Sequence, residues 1–453
     1  MRYYEDMKIE IPENARKILD TIHKAGYEAY VVGGCVRDSI LGRTPGDWDI
    51  TTSAKPQQIK KLFKRTIDTG IEHGTVTVMM NHEGYEVTTY RIDGEYADNR
   101  HPKEVTFTAS LTEDMKRRDF TINAMAYNDE EGLIDRFGGL EDIEKKIIRC
   151  VGVPEERFGE DALRIMRAIR FSAQLGYDID EDTQKAIREL APTLSKISAE
   201  RIQVELVKLL ISDHPDKLID AYEMGITKVI LPEFDECMKT EQNTIHHAYC
   251  VGEHIVKSIE NIDKDKLLRI TMLFHDIGKP ATLTTDEEGN SHFYGHEEVS
   301  AKMAREILKR LKFDRDTMDR ASNLIRYHDM RFAITPYAVR KSIFKVGEKD
   351  YPLIFKVKRA DTLAQSSYKQ DEKLAWIDEL QRQYEEIIEN GDCLSLKSLA
   401  VNGKDLMSIG IAPGKEIGNI LSNMLRDVLK EPKHNSKEYL LETSNLKRFT
   451  SGG

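Results

Sequence analysis

The chain has 453 residues and a formal net charge of −11, with 32% charged and 40% hydrophobic side chains. That length exceeds one ordinary hydrophobic core, so we expect roughly three or four domains. The acidic charge argues against a protein that coats nucleic acid non-specifically, although a local basic groove remains compatible with it. No apolar run approaches the roughly 20 residues that span a bilayer, and the N-terminus lacks the apolar core of a signal peptide. The five scattered cysteines indicate reduced thiols, and we therefore expect a cytoplasmic protein without a membrane partner.

The N-terminal part of the chain predicts a mixed sheet with helices. "AYVVGG" and the pair "GTVTVMM" and "YEVTTYRI", joined at "NHEG", are typical of strands, and "KPQQIKKLFKR" is typical of a helix between them. After Gly139 helical periodicity dominates. We therefore predict an α+β head followed by an all-α neck, body and tail. The predicted boundaries are 1–139 for the head, 140–235 for the neck, 236–365 for the body and 366–453 for the tail.

The stretch "VVGGCVRDSILGRTPGDWDI" predicts a phosphate site. Gly33 and Gly34 allow the backbone to approach a ligand closely. Exposed amides there, together with Arg37, are suited to holding a triphosphate.

The same stretch ends in Asp47 and Asp49, which predict a magnesium site. On a strand, positions i and i+2 point the same way, so the two carboxylates would share a face and repel each other without a cation. Mg²⁺ suits such carboxylates when substrate phosphates complete its ligands, and two ions would serve an attacking hydroxyl and a leaving pyrophosphate. Glu86, between apolar residues of a later strand, is the predicted third carboxylate. The alternative is a turn or helix cap.

The string G-G-x-V-R-D-x-x-L-G-x-x-x-x-D-x-D resembles the first motif of nucleotidyltransferases related to DNA polymerase beta. More narrowly, it resembles the class II branch of CCA-adding tRNA nucleotidyltransferases and bacterial poly(A) polymerases. In "RRDFTINAMAY" a paired arginine at a helix start suits phosphate contacts, and a salt-bridged helix N-terminus is an equal alternative. The resemblance implies that Arg118 and Asp119 contact the incoming nucleotide.

The segment "EDALRIMRAIRF" predicts one continuous amphipathic helix beginning near Asp161. Arg164 and Arg167 fall opposite the apolar face, and Arg170 lies at its border. A solvated basic face is one interpretation. The predicted apolar face consists of Ala162, Ile165, Met166 and Ile169.

An aspartate beside an arginine can select cytosine and adenine. The carboxylate accepts from the base amino group and the guanidinium donates to ring acceptors, whereas uracil and guanine present the opposite pattern. Such mismatches can be rejected by roughly 10⁴–10⁵. The segment resembles the E-D-x-x-R template of CCA-adding enzymes, which implies roles for Glu160, Asp161 and Arg164 and further nucleotide contacts from Arg167 and Arg170. "DGEYADNRHPKEVTF" (93–107) resembles the loop that switches these enzymes from C to A addition.

The predicted body contains histidines and aspartates on successive helices, which are suitable ligands for a transition metal. Their order, with "HDIGKP" in the middle, resembles HD-domain metal-dependent phosphohydrolases. The resemblance implies a site for Ni²⁺, Mn²⁺ or Zn²⁺ and an additional phosphohydrolase activity. A structural role for these histidines is the alternative. The six positions are His254, His275, Asp276, His296, His328 and Asp361.

Two later stretches suggest RNA contacts. The segment 326–360 combines basic and aromatic side chains, as RNA-binding surfaces do, although an amphipathic helical region is equally consistent. "GIAPGKEIG" reads as a turn that opens a helix, and it resembles the tail that grips tRNA in this family. A plain helical turn is the alternative.

These observations together predict an enzyme that adds C, C and A to tRNA 3′ ends from CTP and ATP. One alternative is an enzyme that adds only A, such as a poly(A) polymerase, although the strongly basic extension common in those enzymes is missing. An alternative of another class is an HD phosphohydrolase whose head only senses nucleotide. Asp47, Asp49 and the double arginine argue against an inert head.

Overall fold

The computed structural model describes residues 7–94 and 105–450. The described chain divides into two compact units, one ending at Asp235 and one beginning at Glu236. A mixed sheet with helices comes first and a largely helical part follows, so the predicted fold class is confirmed. The finer division into four domains stays a prediction.

The first unit is built on a seven-stranded sheet. Its order is β3-β4-β5-β2-β1-β8-β9, with β2 and β5 parallel and the other neighbouring strands antiparallel. The strands of this unit are β1 (Ala29–Val32), β2 (Ile50–Thr52), β3 (Thr66–Gly70), β4 (Thr75–Met80), β5 (Glu83–Thr89), β6 (Arg91–Asp93), β7 (Val105–Phe107), β8 (Met125–Asn128), β9 (Gly132–Asp135), β10 (Ile147–Ile148) and β11 (Asp178–Ile179).

The hairpin of β4 and β5 places an acidic side chain beside the chain's Asp-x-Asp pair. Its two-residue turn, Asn81 and His82, has positive φ at both positions (49° and 69°), which matches the twist of the paired strands. Along β5 the side chains alternate, and Glu86 is exposed between buried Tyr85 and Val87. Because Val87 pairs with Ile50 in parallel register, the preceding residues of the two strands are also neighbours.

Helices pack around the sheet and continue beyond it. Shorter 3₁₀ helices span Ile71–His73, Thr121–Asn123 and Ala191–Lys196. The α-helices are α1 (Glu13–Lys24), α2 (Gly34–Ile40), α3 (Pro56–Leu62), α4 (Leu111–Lys116), α5 (Gly139–Lys145), α6 (Pro154–Glu160), α7 (Leu163–Leu175), α8 (Glu181–Leu190), α9 (Ala199–Leu210), α10 (Lys217–Glu223), α11 (Thr227–Ile230) and α12 (Pro232–Met238).

Helices α6 and α7 are separated by a break at Asp161, and α7 begins at Leu163, close to the start that the sequence predicted. Asp161 is extended, with φ −141° and ψ 106°, and Ala162 caps the following helix. Capping chemistry explains the break, because the Asp161 side chain accepts the backbone N–H of Leu163 at 3.0 Å. The predicted apolar face of α7 is buried as expected, with Ile165 and Ile169 both at 0% exposure.

The second unit is helical apart from a small hairpin, β12 (Thr284–Thr285) and β13 (Ser291–His292). Its core includes Tyr351 and Phe355, so these two rings of the basic, aromatic segment are buried and unavailable for stacking on RNA. The helices are α13 (Val251–Glu260), α14 (Lys266–Phe274), α15 (Lys279–Thr282), α16 (His296–Arg310), α17 (Arg315–Tyr327), α18 (Pro336–Val346), α19 (Tyr351–Leu363), α20 (Gln370–Glu389), α21 (Gly403–Ser408), α22 (Lys415–Lys430), α23 (Lys437–Leu441) and α24 (Thr443–Thr450), with 3₁₀ helices at Leu396–Ser398 and Pro432–His434.

Three further features bear on the expectations from sequence. All five cysteines are buried and unpaired. Among the described residues, every helix falls short of the length and hydropathy needed to cross a membrane. Most of the predicted switching loop, residues 95–104, lies outside the described residues.

Gly139 provides a test of the packing between α5 and the strand β8. A Cβ at this position would lie 2.5 Å from the carbonyl oxygen of Thr121 and 2.9 Å from Cγ of Met125. We expect Gly139→Ala to lower the free energy of unfolding by about 1–3 kcal/mol, because the clash involves backbone. Gly159→Ala in α6 is the matched control, since a Cβ there meets open space. Urea unfolding followed by circular dichroism measures both, and equal stability of the two variants would contradict the tight packing.

Candidate active site

Three carboxylates line one cavity beside the start of β2 and the middle of β5. The cavity has a volume of about 740 Å³, and Asp47, Asp49 and Glu86 lie on its wall. The two aspartates precede the strand and do not lie on it, although the N–H of Val32 still donates to the carbonyl of Asp49 at 3.0 Å. Both side chains nevertheless line the same cavity, so the segment that leads into β2 brings the two carboxylates to one wall.

The three carboxylates of this cavity have no directly bonded cation among the described residues. Within the described residues, no side chain forms a hydrogen bond or ion pair with any of the three. Partial desolvation in the cleft raises the pKa of Asp49, and Asp47 adds repulsion, although Arg118 and Arg167 oppose both effects. Desolvation and repulsion from both aspartates also raise the pKa of Glu86. Three oxygen ligands that repel one another suit a hard divalent cation, so the residues present fit Mg²⁺.

The glycine turn lies next to the double arginine of the predicted nucleotide site. Gly33 has φ +80°, and a Cβ there would lie 3.4 Å from the guanidinium of Arg118. Arg37 is largely buried, and its guanidinium donates to Asn123 at 2.6 Å and to Asp38 at 2.9 Å. Its donors are thus engaged within the protein, and its contact with a phosphate stays a prediction.

Asp114 anchors both members of the double arginine, and the sequence analysis missed it. This carboxylate is fully buried and accepts two hydrogen bonds from Arg117, at 3.1 and 2.9 Å, and one from Arg118 at 3.4 Å. Burial alone would raise the pKa of Asp114, but the two arginines outweigh it and lower the pKa. The i, i+3 and i, i+4 spacing on α4 was a usable signal for these pairs.

Asp119 and Glu205 hold the arginines of α7. The Arg167 guanidinium donates to Asp119 at 2.6 Å, and Arg170 pairs with Glu205 at 2.5 Å. Burial alone would raise the pKa of Asp119, but Arg167 and Arg164 outweigh it and lower the pKa to about 2. Phe171 lies among three guanidiniums, which are centred 4.0 to 5.3 Å from its ring. Arg170 is therefore buried and paired, not at the border of an open face.

The predicted base-selecting residues line a second cavity, of about 270 Å³, with five arginines and two aspartates on its wall. Asp161 and Arg164 both face it, but they do not pair with each other: Arg164 bonds Glu160, and Asp161 bonds Arg201 at 2.7 and 3.3 Å. Arg201 was missed because it lies 40 residues from its partner in sequence. The cavity is lined by Arg117, Arg118, Asp119, Asp161, Leu163, Arg164, Arg167 and Arg201.

In the second unit, the six predicted histidines and aspartates converge in one buried group, which we call the histidine–aspartate cluster. They form two overlapping sets of ligand atoms within 4.8 Å of one another, and Asp276 belongs to both. His254 Nε2 lies 3.2 Å from one oxygen of Asp276, and His296 Nε2 lies 3.2 Å from the other. The sets are His254, His275, Asp276 and Asp361, and Asp276, His296 and His328.

The imidazoles of this cluster are oriented as metal ligands. Each Nδ1 contacts a backbone carbonyl oxygen, at 3.1 Å for His254, 2.6 Å for His275, 2.9 Å for His296 and 2.6 Å for His328. Because a carbonyl can only accept, each Nδ1 carries a proton, and the Nε2 lone pair of a neutral ring points into the cluster. Nε2 atoms of His254 and His275 lie 3.2 Å apart, a separation that requires a proton or cation between them. The residues present therefore fit a metal ion.

Two adjoining cavities of about 500 and 260 Å³ open beside the cluster. Both are lined by Arg331 and Lys373. The larger one adds Lys279, and the smaller adds Lys358 and Trp376. Asp329 also lines both cavities, so the wall is mixed in charge, and its arginine and lysines are the groups suited to a phosphorylated ligand.

Three family models match parts of the chain. The poly(A) polymerase head domain matches residues 29–149. A model described as a probable RNA and SrmB-binding site of polymerase A matches residues 176–238. A putative tRNA nucleotidyltransferase domain 2 matches residues 281–443.

Several CCA-adding enzymes are similar to the chain. That of Lactiplantibacillus plantarum is 57% identical over 201 residues, which are 44% of this chain and 49% of the relative, so this match spans about half the relative's length. That of Levilactobacillus brevis is 37% identical over 95% of this chain and 96% of the relative. The crystal structure of the Bacillus stearothermophilus CCA-adding enzyme in complex with CTP has a TM-score of 0.70 and 30% identity, covering 96% of this chain and 98% of that one.

These matches confirm the resemblance inferred from the motifs of the head and neck. The resemblance of the histidine–aspartate cluster to HD-domain phosphohydrolases stays a prediction. Since the similarity to the Levilactobacillus brevis enzyme extends over nearly the whole of both chains, this chain belongs to the family of CCA-adding enzymes, which are tRNA nucleotidyltransferases.

Proposed function

We propose that the first unit adds C, C and A to the 3′ end of tRNA, using CTP and ATP and releasing pyrophosphate. The observation that carries this proposal is the set of three carboxylates, Asp47, Asp49 and Glu86, around one cavity and without a bonded side chain among the described residues. Arg118 connects the carboxylate cavity with the arginine-lined cavity. Its charge acts to lower the pKa of Asp49 in the first, and its side chain lines the second. The carboxylates that would hold a metal ion thus lie close to guanidiniums that would bind the phosphates of a nucleoside triphosphate.

Nucleotidyltransferases of this family use divalent metal ions, and we propose Mg²⁺ at Asp47, Asp49 and Glu86. When bound, Mg²⁺ would activate the tRNA 3′-hydroxyl and neutralise charge on the leaving pyrophosphate. The carboxylates hold the cation, while Arg118 and Arg167 offer guanidiniums to the phosphates. Gly33 suits this turn because its φ of +80° is a conformation that residues with a side chain rarely adopt.

Base selection is assigned to the arginine-lined cavity. Asp161 would accept from the amino group of cytosine or adenine, and Arg164 would donate to a ring acceptor. Uracil and guanine would leave both groups unpaired, which is costly in a confined site. Complete CCA addition is proposed over A-only addition, in agreement with the CCA-adding relatives. A cytoplasmic location is proposed on the basis of the five free thiols.

A second candidate function, a metal-dependent phosphohydrolase, is favoured by the histidine–aspartate cluster. Imidazole with carboxylate suits Ni²⁺, Mn²⁺ or Zn²⁺ better than an oxygen-only site would. The arginine and lysines of the adjoining cavities would hold a phosphoryl group, such as a phosphomonoester or a 2′,3′-cyclic phosphate. Such an activity would restore a damaged tRNA end for extension by the first unit. An A-only enzyme and a phosphohydrolase with a sensing head remain the alternatives that the assays below separate.

The metal-binding role of the head carboxylates is tested by single charge removal. We expect Asp47→Asn and Asp49→Asn each to lower nucleotide transfer by more than about a thousandfold, because each removes a charge that binds the cation. Asp20→Asn, an exposed aspartate of α1, is the matched control. Transfer is measured with labelled CTP and ATP on tRNAs ending at the discriminator base, C or CC. Near wild-type turnover of either variant in Mg²⁺ would contradict the proposal.

The base-reading role of Asp161 is tested by substitution with alanine. We expect Asp161→Ala to relax discrimination against UTP and GTP more than it raises the KM for CTP, since the guanidiniums that hold phosphate remain. Incorporation of all four nucleotides is compared with wild type and with Asp182→Ala, which removes an exposed aspartate of α8. An unchanged preference for C and A at a lower rate would show that Asp161 only positions the chain.

The histidine–aspartate cluster is tested separately from nucleotide transfer. We expect Asp276→Asn and Asp276→Ala to lose bound Ni²⁺, Mn²⁺ or Zn²⁺ and phosphohydrolase activity, because Asp276 belongs to both ligand sets. Both variants should still add CCA to an intact acceptor. Elemental analysis and hydrolysis of a phosphomonoester and a cyclic phosphate are the measurements.

The control for the cluster is Asp263→Ala, an exposed aspartate of the same unit. Loss of nucleotide addition in a folded Asp276 variant would contradict two independent sites. Wild-type protein that binds none of the three metals would show that the cluster is structural.

A further inference from the structure

The hairpin of β12 and β13, beside the histidine–aspartate cluster, is braced from within and from outside. In its turn the Asp286 carboxylate accepts from the backbone N–H groups of Glu288 at 3.0 Å and Asn290 at 2.8 Å. Asn243, from the segment before α13, donates its side-chain amide to the carbonyl of Gly289 at 2.6 Å. These contacts hold the turn in one conformation.

The segment that follows this hairpin exposes an aromatic face. Tyr294, two residues beyond β13, is 77% exposed, compared with 37% for Tyr249 and 41% for Tyr368 of the same unit. Its ring stacks on that of His292, with 5.4 Å between the ring centroids and 6° between the planes. The Nε2 of His292 donates to Asp286 at 2.8 Å, so the supporting ring is itself anchored. Tyr294 is therefore held from one side and accessible from the other.

The backbone links this ring to the proposed metal ligands. The carbonyl of Phe293 contacts Nδ1 of His296 at 2.9 Å, and α16 begins at His296. Tyr294 lies between these two residues in sequence. Tyr294, Asp276 and His296 all line the cavity of about 500 Å³. The aromatic face and part of the histidine–aspartate cluster thus share one space.

Cations on the wall of this cavity suit a phosphate. The Lys279 ammonium lies 2.8 Å from the Asp276 carboxylate and is already paired. Arg331, with a side-chain exposure of 62%, and Lys373 offer further positive charge, and Asp329 keeps the wall mixed in sign. Every nucleobase has a π-face, so an exposed aromatic ring accepts a base of any identity. An aromatic face beside cations and metal ligands therefore matches a base joined to a phosphate.

We propose that Tyr294 stacks on the base next to the phosphate that the histidine–aspartate cluster hydrolyses, so that the cluster takes nucleotides and RNA 3′ ends in preference to phosphomonoesters without a base. This inference rests on the proposed phosphohydrolase function. His292 and the braced hairpin act as the support that keeps the ring in place. The stacking contact recognises the presence of a base and not its identity.

The test compares kcat/KM for substrates with and without a base, using protein loaded with Ni²⁺, Mn²⁺ or Zn²⁺. The substrates are adenosine 2′,3′-cyclic phosphate, adenosine 3′-monophosphate, a short RNA with a 3′-phosphate, and glycerol 2-phosphate. Release of inorganic phosphate measures cleavage of the monoesters by water, and formation of a monoester measures opening of the cyclic phosphate. We expect Tyr294→Ala to lower the preference for a base by about tenfold, because stacking is lost.

Two variants serve as controls for this comparison. Tyr294→Phe keeps the aromatic ring and should keep the wild-type preference. Tyr249→Ala removes an exposed tyrosine that lies outside the wall of this cavity, and it should also keep the preference. A loss in Tyr294→Ala for the RNA alone would identify RNA ends as the substrate, and a loss for the mononucleotides as well would show that a single base suffices.

Tyr294→Trp adds a measurement that does not depend on turnover. The chain has two tryptophans, so the emission of the new one is taken as the difference from wild type. We expect adenosine 3′-monophosphate to quench this emission and glycerol 2-phosphate to leave it unchanged. Unquenched emission, an unchanged preference in Tyr294→Ala, or an equal loss for all four substrates would overturn the inference while leaving the proposed phosphohydrolase intact. Wild-type protein that hydrolyses none of the four would overturn both.

Discussion

Ion pairs between arginines and carboxylates hold the nucleotide cavity together. Five guanidiniums line one small space and would repel one another without compensation. Asp114, Asp119 and Asp161 each pair with at least one of them. Because a buried ion left without its partner costs about 3–5 kcal/mol, each pair constrains its neighbours. The carboxylates hold the guanidiniums in place, and the wall still carries an excess of positive charge because the arginines outnumber them.

The carboxylates of the metal site follow the opposite rule. Asp47, Asp49 and Glu86 are gathered without a bonded side chain from the described residues, so a bound cation would relieve their repulsion. The first unit thus contains acids already paired within the protein and acids left for a metal. The histidine–aspartate cluster uses a third arrangement, in which backbone carbonyls hold the imidazoles and leave Nε2 atoms directed inward. Different ligand atoms give the two metal-binding groups different metal preferences.

The sequence predicted those features that depend on neighbours close along the chain. Strand alternation in "YEVTTY" placed Glu86 on the exposed face, and the period of α7 identified the buried faces of Ile165 and Ile169. The order of histidines and aspartates identified six residues that do converge. Each of these inferences uses local periodicity or a motif, so no knowledge of distant packing was required.

The sequence did not predict the features that depend on partners distant along the chain. The pairing of Asp161 with Arg201 joins residues on separate helices, and no local pattern links them. Arg37 was expected to face a phosphate, but Asn123 engages it from a different part of the head. The extended conformation of Asp161 was not predicted either, because it depends on the side-chain hydrogen bond from the backbone N–H of Leu163.

Because Asp161 lies in an extended link between two helices, a contact from another element is needed to orient its carboxylate. Within a helix, the rotamer of an aspartate is limited by the preceding turn, and its direction follows from the helix axis. In an extended link the side chain can reach the cavity, but its carboxylate plane is no longer set by the backbone. The two-point contact with Arg201 of α9 sets that plane, so a helix distant in sequence helps to line the same cavity.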